Sequence, residues 1–270
     1  MPDLRRGERR IESSRAGLFD LTGQVAVVIG GTGVIGGEIV DGFSAAGARV
    51  AILGRTPGKA SAKAAAIDGT GRHAIGLDVD AVNIAELEAA EDTIARALGT
   101  ADILVNAVGL NSVTPFFDLS GDEWARIIDV NLTSTFLACQ VFGGSMVRSG
   151  VGGSIINLSS ASSGPPLSRV LAYGVAKAAI NNLTQYLARE LATAGVRVNA
   201  IVPGFFPAEQ NRRILSPDRI ESILRHTPMG RLGEPNELVG TAIWLASRRA
   251  SGFVTGSLVR VDGGFSAMTI

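Results

Sequence analysis

Disulfide chemistry is closed to this chain, because its 270 residues hold a single cysteine. Cys139 has no partner for an intramolecular bridge, and its setting after Phe136, Leu137 and Ala138 is that of a buried helical thiol rather than a nucleophile. Histidine is nearly as scarce. His73 and His226 have no second histidine or carboxylate at a ligand spacing, so neither reads as a metal ligand. Charge of neither sign is in excess: Lys+Arg and Asp+Glu both number 25, which removes any global electrostatic case for a nucleic acid or an anionic membrane as partner. No apolar run reaches the roughly 18 residues of a membrane span, since glycine, asparagine or charge cuts each one. Trp124 and Trp244 lie in apolar-periodic segments and read as core or interface residues. A soluble, cytoplasmic protein acting on a small molecule is the expectation.

What the chain has is apolar content of 46%, enough for one sizeable core in a single domain. Residues 1–17, with Arg5, Arg6, Arg9, Arg10 and Arg15 among acids, read as a flexible tail before a domain at 18–270. From Gln24 the order is regular. Apolar runs at 25–29, 49–53, 73–77, 102–106, 154–158, 196–202 and 257–261 read as strands, and periodic segments at 34–46, 56–67, 83–98, 124–147, 170–194 and 237–246 as helices. That alternation predicts an α/β fold, a Rossmann-type doubly wound parallel sheet in three layers.

Two stretches bear on chemistry. Gly31, Gly33 and Gly36 match G-x-G-x-x-G between a strand and a helix, the setting in which glycines permit a tight turn and a close approach of backbone to a pyrophosphate at the helix N-terminus. Strand two then runs into Arg55 and Thr56, where a carboxylate would favour NAD. A guanidinium and a hydroxyl suit a 2′-phosphate, so NADP(H) is preferred and NAD(H) is the alternative. In the second stretch, Tyr173 and Lys177 are four residues apart and share one helix face. A nearby ammonium favours the phenolate, so the Tyr173 pKa is expected to fall from about 10 toward neutrality. Ser160 follows an apolar run and would emerge at a strand's carboxyl end, where open α/β sheets bind ligands.

With these residues assembled, the chain resembles the short-chain dehydrogenase/reductase family over about residues 19–265. The resemblance rests on the turn at Gly30, Gly31, Thr32, Gly33, Val34, Ile35 and Gly36; on Asp78-Val79; on Asn106-Ala107-Val108-Gly109; on Asn131; on Ser160, Tyr173 and Lys177; on Pro203-Gly204; and on Val261-Asp262-Gly263-Gly264. It implies that Tyr173 is the general acid/base, Ser160 binds the reacting oxygen, Lys177 holds the nicotinamide ribose and favours the phenolate, and Asn131 anchors a water leading from Lys177. It further implies that Asp78 and Val79 meet adenine, that Asn106 and Gly109 line the cofactor crevice, and that Val202 and Gly204 approach the nicotinamide. Ile29, Val34, Ala107 and Ala208 depart from the family pattern. The loss at Ala208 puts one nicotinamide contact in doubt.

For the substrate, Phe205 and Phe206 suggest the wall of a lid, and Gln210, Asn211 and Arg212 offer donors suited to hydroxyls and a carboxylate. With Asn111 and Arg169 as further candidates, this region is similar to the sugar-acid branch of the family. A reductase of 3-oxoacyl thioesters or other hydrophobic ketones, and a non-catalytic dinucleotide-binding regulator, are the alternatives. The resemblance also implies a homo-oligomer, a tetramer or dimer.

Overall fold

In the computed structural model, residues 17–207 and 216–268 are described. Among them seven strands form one parallel sheet: β1 (Val25–Ile29), β2 (Arg49–Gly54), β3 (Ala74–Asp78), β4 (Ile103–Asn106), β5 (Gly153–Leu158), β6 (Val196–Pro203) and β7 (Leu258–Val261). Their order is β3-β2-β1-β4-β5-β6-β7. The chain steps outward from β1 to β3, then returns to start the other half at β4 beside β1. This reversal opens a crevice at the carboxyl ends of β1 and β4, where Ile29 pairs with Leu53 on one side and Asn106 on the other.

The helices are α1 (Val34–Ala45), α2 (Lys59–Ile67), α3 (Ile84–Ala97), α4 (Gly121–Ile128), α5 (Ser134–Ser149), α6 (Leu171–Leu191), α7 (Pro217–His226) and α8 (Val239–Ala246). They cover both faces of the sheet, which is why the strands read as continuous apolar runs. Within β1, Ala26 and Val28 join the core containing Ile39 and Phe43 of α1 and Leu245 of α8. Val25, Val27 and Ile29 point the other way, into the core containing Leu87 of α3, Phe142 of α5 and Ala188 of α6. Phe43 and Phe142 are fully buried, each contributing about 1.5–3 kcal/mol from removal of apolar surface from water.

Three elements differ from the sequence expectation for local reasons. The helix expected from residue 56 starts at Lys59, because Gly58 caps it in the left-handed region (φ 72°) after a turn in which the Lys59 N–H donates to the Thr56 carbonyl. The helix expected over 124–147 runs from Gly121 to Ser149 but contains a π turn at Asp129–Thr133. There the Asn131 side-chain amide donates to the Ile127 carbonyl at 2.8 Å, taking the acceptor that its own N–H would use in a regular α-helix. Helix α7 was not expected at all. It is set by its ends: the Ser216 hydroxyl caps the Arg219 N–H at 3.4 Å, Pro217 opens the first turn, and Arg225 and His226 sit in the last.

Helix α2 lies so close to β3 that a Cβ at Gly76 would come within 2.1 Å of the Ala60 carbonyl carbon. Because the obstacle is helix backbone, Gly76→Ala is expected to cost on the order of 1–3 kcal/mol. That would lower the melting temperature by about 2–4 °C per kcal/mol. An unchanged melt would show that α2 moves away from β3 at no cost.

Candidate active site

Tyr173 and Lys177 lie in the first two turns of α6, which starts after the loop that follows β5. Ser160 sits two residues beyond the end of β5 and caps a short 3-10 turn, Ala161–Ser163, its hydroxyl accepting from the Ser162 N–H at 3.1 Å. With a lone pair so occupied, the hydroxyl keeps its proton for the Tyr173 oxygen, an influence that favours the phenolate. The turn is pressed against α6. The Ser163 hydroxyl accepts from Asn181 at 2.9 Å, and a Cβ at Gly174 would lie 3.1 Å from the Ser162 carbonyl oxygen. Glycine immediately after the tyrosine is therefore what lets Ser160 reach Tyr173, a signal present in the sequence and passed over there.

Lys177 is only 2% exposed. Its ammonium donates to the Leu158 carbonyl at the end of β5 at 2.8 Å and to the Val108 carbonyl at 3.5 Å, and it stands 5.5 Å from the centre of the Tyr173 ring. Asn131, fully buried, secures the same segment from the other side: its amide donates to the Leu110 carbonyl at 2.7 Å and its oxygen accepts from the Leu110 N–H at 3.3 Å. Both amide protons of Asn131 are thus used on Leu110 and Ile127, so its side chain positions the 108–110 segment.

The electrostatics differ from the sequence expectation. Burial pushes the Tyr173 phenol above its ordinary value, and the Ser160 hydrogen bond opposes that shift only in part. Burial also lowers the Lys177 ammonium from 10.5 to about 7. Desolvation of both groups outweighs the expected pull of lysine on tyrosine. The phenol is therefore held as an acid, beside a lysine that exchanges its proton near neutrality.

At the sheet reversal, the glycine turn fits a dinucleotide. Gly30 has φ 80°, and a Cβ there would lie 2.8 Å from the Ala107 carbonyl oxygen. A Cβ on Gly36 would stand 2.2 Å from the Gly30 oxygen, so the turn folds flat against α1. Gly33 caps α1 with no side-chain hydrogen bond, and no acidic residue stands in the first turn, which leaves the positive helix end to an anion. Gly30 and Gly31 donate to the Leu53 carbonyl, placing the exposed Arg55 and Thr56 beside the turn. Thr32 covers Gly54, while Val34 is exposed and Ile35 half-buried.

The other residues expected at the nucleotide also make contacts within the chain. The exposed Asp78 carboxylate accepts the Gly58 N–H at 2.9 Å and closes the loop after β2. Val79 is buried behind it, its N–H bonded to the Gly54 carbonyl. Asn106 is 4% exposed, and its amide donates to Asn157 at 2.8 Å and to Cys139 at 3.4 Å, so it ties β4 to β5 behind the crevice. Cys139 is buried, and desolvation raises its thiol to about 12, which excludes it as a nucleophile. A Cβ on Gly109 would lie 3.5 Å from the Asn131 side-chain oxygen. Val202 is buried in β6, and Gly204 is glycine because a Cβ would meet the Asp262 Cα at 2.7 Å.

Of the two aromatics after β6, Phe206 turns into the core, and Phe205 alone faces outward, edge-on to Phe265 at 5.1 Å. Asn111 bonds the next residue's N–H at 2.7 Å. Arg169 is exposed in the left-handed region at φ 65°, unusual for a non-glycine residue. Gln210, Asn211 and Arg212 lie outside the described residues. Glu123, unremarked in the sequence, accepts the hydroxyls of Ser112 and, at 2.8 Å, Thr114, and so pins the loop after β4 to α4; those two bonds, Ser112 first, lower its carboxyl pKa. Beside that loop is a cleft of about 740 Å³, largely apolar, lined by Val113, Pro115, Phe116, Leu167, Val170 and Leu171. Among the described residues no three His, Cys, Asp or Glu gather as a metal site, and no helix is long and apolar enough to cross a membrane.

Comparison with known proteins is consistent across sequence and structure. A family profile described as enoyl-(acyl carrier protein) reductase matches residues 30–266. The chain is 39% identical to an uncharacterised oxidoreductase, UxuB, of Bacillus subtilis (strain 168), over 92% of this chain and 96% of that one. It is 32% identical to the 5-keto-D-gluconate 5-reductase of Escherichia coli (strain K12), over 92% and 97%. The fold superimposes on a gluconate 5-dehydrogenase from Burkholderia cenocepacia J2315, crystallised with NADP and tartrate, with a TM-score of 0.90 and 32% identity over 94% and 100% of the two chains.

The burial of Lys177 has a measurable consequence. A depressed pKa means that the unfolded chain binds more protons than the folded one between about pH 7 and 10.5, so stability rises with pH across that window. The excess melting temperature of wild type over Lys177→Met should therefore grow as pH is raised from about 6.5 to about 9.5. A constant difference would mean that the folded ammonium keeps its ordinary affinity for a proton.

Proposed function

Since the chain belongs to the short-chain dehydrogenase/reductase family, we propose that it interconverts a secondary alcohol and a carbonyl on a sugar acid or polyol, with NADP(H) as the preferred nucleotide. The observation behind this reading is the Ser160, Tyr173, Lys177 cluster at the carboxyl ends of β4 and β5, next to a glycine turn shaped for a dinucleotide. The sugar-acid assignment draws on two of the relatives named above, the 5-keto-D-gluconate 5-reductase and the gluconate 5-dehydrogenase.

The Gly30–Gly36 backbone with Arg55 and Thr56 would hold the nucleotide, whose chemistry when bound would be hydride transfer. The chain's own residues manage the oxygen and its proton. Ser160 hydrogen-bonds the carbonyl oxygen. Tyr173, whose phenol is shifted above its ordinary value, delivers a proton to that oxygen in reduction and recovers it in oxidation. Lys177 sits within reach of the phenol ring and, with a pKa near 7, restores the proton balance of the site. Asn131 and Glu123 hold the loop after β4 so that the site keeps its shape.

A second reading has its own support. The 740 Å³ apolar cleft beside the Tyr173 helix would accommodate a hydrophobic ketone or an acyl thioester, and the matching family profile bears an acyl-carrier description. A regulator without turnover is disfavoured by the assembled cluster.

Tyr173→Phe should lower kcat for ketohexonate reduction by about 10²–10⁴-fold while leaving nucleotide affinity within a few-fold, because one proton donor is lost and little packing. Substantial residual reduction would remove Tyr173 from its role. Arg55→Ala should weaken NADPH more than NADH in fluorescence titrations. Equal weakening of both would show that Arg55 does not read the 2′-phosphate.

A further inference from the structure

Helix α7 brings a cation to the loop that links Ser160 to Tyr173. The Arg219 guanidinium donates through Nη1 to the Ser168 hydroxyl at 2.9 Å and through Nη2 to the Ser168 carbonyl at 2.7 Å, a contact between residues 51 apart in sequence. It borders a cleft of about 430 Å³ whose lining includes Arg225 and His226 as well as Arg219, with hydroxyls from Ser168 and Ser222 and, among the described residues, no acidic one. Glu221 stands 3.8 Å from Arg225, and both of those side chains are well exposed. Phe205, Phe265 and Leu167 form the apolar part of the wall, with His226 edge-on to Phe265 at 4.6 Å.

We propose that this basic cleft is the subsite for the carboxylate end of the substrate, with Arg219 as its specificity-determining residue. The inference rests on the sugar-acid reading and locates the carboxylate within it. Four features support it. The volume lies in the range of small-molecule sites. Its wall takes Leu167 and Ser168 from the loop that follows Ser160 and Phe205 from the loop that follows Pro203-Gly204. A guanidinium has five N–H groups, and among the described residues only two bonds to Ser168 engage it, leaving donors for a carboxylate in fork geometry. The two Ser168 bonds fix its direction in advance, so little side-chain freedom remains to be lost on binding. The cleft meets the larger, mostly apolar one, which itself carries the single guanidinium of Arg169, at Leu167.

The test compares a ketohexonate with an uncharged ketohexose, using wild type, Arg219→Gln and Arg219→Lys. Loss of a charge-assisted bond should raise the ketohexonate KM by about tenfold or more in Arg219→Gln, with the ketohexose and NADPH KM values within about twofold of wild type. Arg219→Lys should recover part of the preference for the acid. A merely structural role would raise both sugars' KM values alike, and that result, or no change, overturns the proposal. Calorimetric binding of gluconate against sorbitol is measured on the same proteins. If wild type reduces a thioester and no ketohexonate, the sugar-acid reading fails, yet gluconate binding that Arg219→Gln abolishes would sustain the subsite. Binding indifferent to Arg219 would overturn it. Should Arg219→Gln not fold, wild type still decides: a tenfold rise in salt should raise the ketohexonate KM and spare the ketohexose, and equal response of the two would contradict the proposal.

Discussion

A buried ammonium must find oxygen, and at Lys177 this requirement fixes the geometry around it. The acceptors are backbone carbonyls left open where parallel strands end: Leu158 at the last residue of β5 and Val108 just past β4. Because each interior strand is hydrogen-bonded on both sides, such carbonyls become available only at the carboxyl edge of the sheet. Lys177 thereby anchors α6 to that edge and carries Tyr173 with it, one turn earlier on the same face. Asn131 completes the arrangement by holding Leu110 through two bonds, at the cost of a regular helix, which widens to a π turn around it. The site is thus a consequence of satisfying a few buried polar groups at the end of a sheet.

The same edge explains how nucleotide and substrate come together. The glycine turn after β1 bonds to the Leu53 carbonyl of β2, while Ser160 and Phe205 follow β5 and β6. One half of the sheet offers an anion-binding helix end and the other a hydroxyl cluster, and they meet where strand order reverses. Around the second half, the apolar cleft by the Phe116 loop and the basic cleft by Arg219 divide the surroundings by polarity. That division sets the two substrate readings against each other.

Much of this was legible in the sequence, because the signals were local. Strand periodicity located β1, β2 and β4 within a residue, and the four-residue spacing put Tyr173 and Lys177 on one face. What failed to show depended on burial or on distant partners. Sequence spacing suggests that Lys177 lowers the Tyr173 pKa; only the three-dimensional setting shows that desolvation acts on both and reverses the sign for tyrosine. Phe205 and Phe206 are indistinguishable as letters, yet one lies in the core beneath Gly233 and the other against Phe265. Helix α7 escaped notice because its inward positions, such as Ile223, are sparse among charges. Arg219 could not be singled out without the Ser168 carbonyl it reaches. Asp78 and Asn106 kept their places at strand ends, but their polar groups serve neighbouring backbone and side chains.

The most direct test of the account is nucleotide turnover by the wild-type protein, followed by the absorbance of the reduced nicotinamide. NAD(H) and NADP(H) are crossed with hexonates, ketohexonates, polyols and an acetoacetyl thioester. The account predicts turnover on a hexonate and its keto partner, faster with NADP(H) than with NAD(H). Turnover confined to the thioester would contradict the substrate assignment, and no turnover on any carbonyl or alcohol would contradict the chemistry assigned to Ser160, Tyr173 and Lys177.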